Sequence, residues 1–149
     1  MFEDDHFCGC GLIDYDKSAY SPEVRFILMC KAVSDLIRRE APNFVCFEGL
    51  AYQKNAATLI ELAQLQGVII GTCLNAKWAN DQIEFYIYPA SSWRKALHFA
   101  QGKNVKRPDL KKQAQEYALN AYGMELDEDT ADAVCIGAAF NISFIKGKN

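Results

Sequence analysis

The segment that most constrains the fold is Asn43-Phe44-Val45-Cys46-Phe47, preceded by Pro42 and closed by Glu48-Gly49. It is short, almost wholly apolar and does not alternate, so it reads as a strand buried on both faces. Such a strand needs layers to cover it, and the flanking sequence supplies them. Ser21-Pro22-Glu23 opens a helix, with Ser21 as N-cap and Pro22 at the first helical position. Val24, Ile27, Leu28, Val33 and Ile37 follow at helical spacing, and Pro42 stops it. After a loop over Gly49–Lys54, a longer helix is predicted from about Asn55 to Ala76, with Leu59, Leu62, Ala63, Ile69, Ile70 and Cys73 as its apolar positions. Gln82–Tyr88 alternates Ile83, Phe85 and Ile87 against Glu84, Tyr86 and Tyr88, a strand with one covered face. Three helices complete the chain. Ser91 or Ser92 caps one running to about Phe99. Pro108-Asp109 opens the next, ending at Gly123. Asp127 or Glu128 begins the last, with Ala133, Ile136, Ala139 and Phe140 inward. At the start, Met1-Phe2 ends a strand, Glu3-Asp4-Asp5 turns, and His6–Asp14 returns as a hairpin partner. Strands alternating with helices favour an α/β layer fold. A sheet built only from these strands would be small and lack its centre.

The 149 residues fit one domain spanning 1–149. No stretch approaches the roughly 18 uninterrupted apolar residues of a membrane span, and the acidic start Met1-Phe2-Glu3-Asp4-Asp5-His6 lacks signal-peptide character. The expectation is a cytoplasmic protein with no membrane partner. Its six cysteines then read as reduced thiols. Cys8-Gly9-Cys10 beside His6 is too closely spaced for the usual zinc ligand pair and has no second pair. On a strand the two thiols share one face, where they behave as small buried hydrophobes.

The formal charge is −3, which argues against a general nucleic-acid coat protein. Its distribution says more. Arg94, Lys95, Lys103, Lys106, Arg107, Lys111 and Lys112 lie together against the single acid Asp109, on an otherwise acidic chain. Such a segment can hold phosphates in one place while the rest repels them; a solvated loop and helix face is the plain alternative. Glu48 follows four apolar strand residues at a strand end, where α/β sheets place ligands and where an unpaired carboxylate is costly to bury. It can equally emerge into solvent. Asp129 and Asp132 share a helical face one turn apart. Asp127, Glu128 and Asp129 suit a helix start, whereas Asp132 precedes the apolar Ala133-Val134-Cys135-Ile136 and lies toward the packed side. One strand-end carboxylate and two on a helix face are what a Mg²⁺ nuclease site requires, since Mg²⁺ takes a few carboxylates plus water and phosphate oxygens.

Residues Asn43 to Asn141 resemble the RuvC-type Holliday-junction resolvases, of the ribonuclease-H-like fold. The resemblance rests on an ordered set: Phe44-Val45-Cys46-Phe47-Glu48, Lys54-Asn55, Leu65-Gln66-Gly67-Val68, Pro89-Ala90-Ser91-Ser92-Trp93-Arg94-Lys95, Lys111-Lys112-Gln113-Ala114-Gln115 and Asp129-Thr130-Ala131-Asp132-Ala133. It implies a mixed sheet flanked by helices, and a homodimer that nicks four-way junction DNA symmetrically in recombination and repair. It also implies Mg²⁺, with Mn²⁺ as an alternative ion, held by Glu48, Asp129 and Asp132 and activating a water for in-line attack. Lys111 matches a basic position near the scissile phosphate, and Lys95 one that touches the DNA backbone. Arg94, Lys103, Lys106, Arg107 and Lys112 extend that basic surface. Lys54 and Asn55 match the loop near the junction centre. Where the family often carries an aromatic, this chain has Ala51, and Tyr52 stands next to it to stack on a base.

The chain departs from the family at its start. The family's first strand, ending in Asp-x-Gly, has no counterpart, and Met1-Phe2 corresponds to the end of its second strand. Either the coding sequence continues upstream, which the intact acids and bases favour, or the chain is a non-catalytic junction- or DNA-binding module. A nuclease of the same fold for RNA–DNA hybrids or flaps fits the match around Trp93-Arg94-Lys95 less well. No Gly-rich phosphate loop points to a nucleotide enzyme.

Overall fold

In a computed structural model, residues 1–3, 6–50, 55–76, 83–145 are described. In chain order the elements are β1 (Phe2–Glu3), β2 (His6–Phe7), α1 (Pro22–Glu40), β3 (Phe44–Glu48), α2 (Ala56–Ala76), β4 (Glu84–Tyr88), α3 (Ala90–Ala96), α4 (Arg107–Tyr122) and α5 (Glu128–Phe140), followed by a π-turn over Asn141–Ile145. The chain divides into two compact units. The first contains Met1–Leu12, Cys46–Gly49 and Ile87–Asn149; the second contains Ile13–Val45 and Leu50–Tyr86.

In the second unit α1 packs on α2. Ser21 caps α1 as expected, its hydroxyl accepting from the Val24 amide, and Ala41 ends the helix in the left-handed region just before Pro42. Ile37, Cys73 and Ile83 form the core, with Val33, Val45, Ile69 and Phe85 around them, and Ser34 hydrogen-bonds Thr72 between the helices at 2.9 Å. Part of the expected apolar stripe stays exposed, including Val24 and Ile27 of α1 and Leu62 of α2, and so do Ile60 and Leu74 beside it. The stretch Ala56–Asn75 is long and apolar enough, by length and composition alone, to cross a membrane. Glu61 and polar residues interrupt its apolar run without lowering the average hydropathy much.

The first unit holds the larger core: Tyr88, Trp93, Leu97, Ala114, Ala131, Cys135, Ile136, Ala138, Ala139 and Phe140. α4 packs on α5 through Ala114 and Ala118, both wholly buried. Alanines there let the helices approach closely, and the Cys135 thiol reaches the Ala114 carbonyl at 3.6 Å. β1 and β2 form an antiparallel hairpin that pairs Phe2 with Phe7 and Glu3 with His6. Its rings meet Tyr122, with centroids 5.8 Å away from Phe2 and 4.7 Å from Phe7. Phe2 lies against Gly137, where an added Cβ would sit 2.6 Å from Phe2 Cε2. Gly137→Ala should therefore destabilise by about 1–3 kcal/mol, as overpacking does, although alanine is the better helix former by about 1 kcal/mol. A denaturant midpoint above the wild-type value would contradict this.

β3 and β4 pair in a two-stranded sheet, as do β1 and β2. Glu84 donates to the Asn43 carbonyl at one end, and Gly49 to the Tyr88 carbonyl at the other, so β3 and β4 run in the same direction. The small sheet matches expectation, but several details do not. β3 is not buried on both faces: Phe44 and Glu48 are exposed and the residues between are half-buried, because two strands cannot cover what a full sheet would. In β4 the alternation breaks, leaving Ile87 exposed and Tyr88 buried, where the Tyr88 hydroxyl meets Ser143 and its ring meets Phe144. The hairpin return is two residues long rather than reaching Asp14. Cys8 and Cys10 lie beyond it and are exposed, not buried. α3 begins after Pro89 rather than after a serine cap. α4 starts one residue earlier than expected, and Ala133 of α5 faces solvent.

All six cysteines are free thiols. Burial pushes the Cys46 and Cys135 thiols up to about 12. At pH 8 a maleimide should label Cys8 and Cys10 quickly and spare Cys135 until the chain unfolds. Mass mapping showing equal labelling at all three would contradict this arrangement.

Candidate active site

Two polar clusters in the first unit carry the residues singled out in the sequence. The first joins α4 to α5. Lys106 precedes α4, its amide donating to Asp109 Oδ2 at 2.8 Å, with Pro108 in the first turn. Gly123 ends α4 at φ 69°, a left-handed cap that suits glycine. The turn to α5 is tied by Gln115 Nε2, which donates to the Leu126 carbonyl at 2.9 Å. Asp127 then caps α5, accepting from the amides of Asp129 and Thr130 at 3.0 Å each. These fixtures set the register of the two helices.

That register brings Lys111 to both aspartates. Its Nζ donates to Asp129 Oδ1 at 2.8 Å and to Asp132 Oδ2 at 2.7 Å. Lys111 is only 10% exposed and Asp132 14%, whereas Asp129 is 86% exposed. Burial alone would lower the Lys111 pKa, but its bonds to Asp129 and Asp132 outweigh that and leave it above the ordinary 10.5. Asp132 Oδ1 is buried and has no hydrogen-bond partner among the described residues.

The second cluster joins the end of β3 to α3. Trp93 is fully buried, and its indole N–H donates to Glu48 Oε1 at 3.0 Å. Arg94 lies over the Trp93 ring, 4.7 Å from its centroid. Its Nη2 is 3.8 Å from the same Glu48 oxygen. Arg94 is 17% exposed and Glu48 41%, and Arg94 Nε is buried without a hydrogen bond among the described residues.

Thus the structure brings Asp129, Asp132 and Lys111 together and gives Glu48 to Trp93 and Arg94. Among the described residues no group of three His, Cys, Asp or Glu side chains is gathered around one point. The donor set of the aspartate pair nonetheless fits a hard divalent ion. Its two carboxylates already present one oxygen each to a single cation, the Lys111 ammonium, and the spare buried oxygen of Asp132 is an acceptor without a donor.

The basic segment divides in two. Arg94 and Lys111 turn inward onto the acids, while Lys95, Lys103, Lys106, Arg107 and Lys112 stay exposed; Lys112 also pairs with Glu116 at 3.5 Å. Asn55 caps α2, its side chain accepting from the Ala57 amide at 3.0 Å, a role the sequence reading did not assign. Tyr52 and Lys54 lie outside the described residues. Asp127, one of the two residues expected to begin α5, is its cap, whereas Trp93 as the partner of Glu48 escaped the sequence reading. A buried tryptophan needs an acceptor for its N–H, which is the signal that could have found it.

The family model described as "Crossover junction endodeoxyribonuclease RuvC" matches residues 7–138. A protein of that name from Fusobacterium nucleatum subsp. nucleatum is 33% identical over 76 residues, covering 42% of this chain and 40% of the relative. Another, from Caldanaerobacter subterraneus subsp. tengcongensis, is 24% identical over 142 residues, covering 86% of this chain and 81% of the relative. In the first of these matches the chain spans less than half of the relative's length.

Proposed function

This chain belongs to the RuvC family, and so to the ribonuclease-H-like α/β fold, and from that membership we propose that it is a divalent-metal-dependent endonuclease acting on four-way DNA junctions. The observation that carries the reading is the contact of Lys111 with Asp129 and Asp132. Three residues matched from the family's pattern, on two helices, meet around one point. Asp129 and Asp132 would hold Mg²⁺, or Mn²⁺ in its place, with Glu48 as a third carboxylate from the strand end. A divalent ion bound there supplies Lewis acidity toward a phosphate and its attacking water.

The protein's own groups do the rest. Lys111 faces the pair that would carry the ion, so its ammonium is positioned to offset charge developing on the phosphate. Arg94, 3.8 Å from Glu48 Oε1, offsets the charge of that carboxylate. The exposed Lys95, Lys103, Lys106, Arg107 and Lys112 would contact the backbone, with Tyr52, Lys54 and Asn55 nearer the junction centre. The whole chain acts in this reading as one nuclease domain. Two copies would nick two strands symmetrically, in recombination and repair. The exposed apolar side chains of α1 and α2 support pairing of copies. Glu61 within α2 and the contact of α2 with α1 support a protein partner for that helix rather than a bilayer. Six free thiols support action in the reducing cytoplasm.

Incubating the purified chain with a labelled four-way junction and a linear duplex of the same sequence tests the reading. Mg²⁺-dependent paired nicks confined to the junction are expected. Salt-sensitive junction binding without any metal-dependent nick would favour the binding-module alternative.

A further inference from the structure

The second cluster contains a residue to which the reaction as proposed assigns no part. We propose that Trp93 is a positioning residue for Glu48, aiming its carboxylate through the indole N–H; this rests on the reading of Glu48 as a metal ligand. A buried tryptophan can satisfy its N–H on any nearby carbonyl, yet here it donates to a carboxylate at the end of β3. An indole N–H can only donate, so it orients the carboxylate without competing as a ligand. The ring itself has little freedom. It is wholly buried in the first unit's core and meets Phe99 edge-on, with centroids 5.8 Å apart. Arg94, the next residue on α3, covers its face and reaches the same Oε1. One short helix therefore delivers a neutral donor and a cation to one oxygen of Glu48. Outer contacts of this kind fix the direction of a metal-binding carboxylate, and their loss typically weakens metal binding roughly 10–100-fold.

The test is calorimetric titration of Mg²⁺ into the wild-type, Trp93→Phe and Glu48→Ala proteins, with melting curves to show that each is folded. Phenylalanine keeps most of the buried ring and removes only the donor. The expected result is Mg²⁺ affinity lowered about 10-fold or more in both variants. Unchanged affinity in Trp93→Phe with loss in Glu48→Ala overturns the positioning role and leaves the metal reading standing. Unchanged affinity in both overturns the reading of Glu48 itself. Loss in Trp93→Phe alone shows Trp93 acting through something other than Glu48 and also overturns the proposal. A second measurement leaves Trp93 untouched. With Trp78, the other tryptophan, replaced by Phe, the remaining indole ¹H–¹⁵N resonance should move on Glu48→Ala, and one that stays in place overturns the contact.

Discussion

Asp132→Asn should reduce metal-dependent nicking of a four-way junction by at least about 100-fold. Groups that merely orient a metal's ligands account for roughly 10–100-fold each, so a ligand itself belongs at or beyond that upper end. Asparagine nearly keeps the shape and can still accept from Lys111, so the change removes charge rather than packing. Asp132 is the sharper test of the pair because it is the enclosed one, with a buried oxygen that no group among the described residues satisfies. Junction binding, which would rest on the exposed bases, should survive. Initial rates with Mg²⁺ at fixed ionic strength, alongside a gel-shift titration, check both halves. Wild-type-like nicking by Asp132→Asn would remove Asp132 from the site.

Lys111→Met should cost about 3–5 kcal/mol of stability, the range for leaving one partner of a buried ion pair uncompensated. Methionine roughly fills the volume, so the loss reports the abandoned Asp132 carboxylate. Asp129 is mostly solvated, and Asp129→Asn should cost no more than about 1 kcal/mol. The pH dependence has a definite sign. Because the folded-state pKa of Lys111 lies above the ordinary 10.5, its contribution is fully present below pH 10.5 and is lost as pH rises through the higher folded value. Urea unfolding between pH 7 and 11.5 should show this alkaline decline in the wild type and a smaller one in Lys111→Met. Equal declines would mean that Lys111 is not the titrating group.

Most local signals were legible, because the interactions that decide them lie within a few residues. Ser21, Pro22, Pro42, Pro108, Gly123 and Asp127 act on backbone groups adjacent in sequence, and their helices start or stop within about a residue of the reading. The packed side of Asp132 was legible for the same reason, since its neighbours on the helix face are apolar. The exposure of Cys8 and Cys10 was not legible in the same way. Backbone pairing continues past Phe7, the Cys8 amide donating to the Met1 carbonyl at 3.0 Å, and the two thiols do share a face, but it is the exposed one. Tyr88 and Ile87 exchange their expected sides because cover comes from Ser143 and Phe144, which are remote in sequence.

By itself, the sequence determined the order of strands and helices, the caps that delimit them and the acids and bases available for chemistry, because each depends on neighbours along the chain. Which acid meets which base was decided only by the tertiary structure. Seven basic residues form one segment in the sequence, yet the packing of α4 on α5 turns Lys111 onto Asp129 and Asp132, and α3 turns Arg94 and Trp93 onto Glu48. Charge and hydrogen bonding act over a few ångströms, and those distances are set by helix register and small buried side chains rather than by separation along the chain.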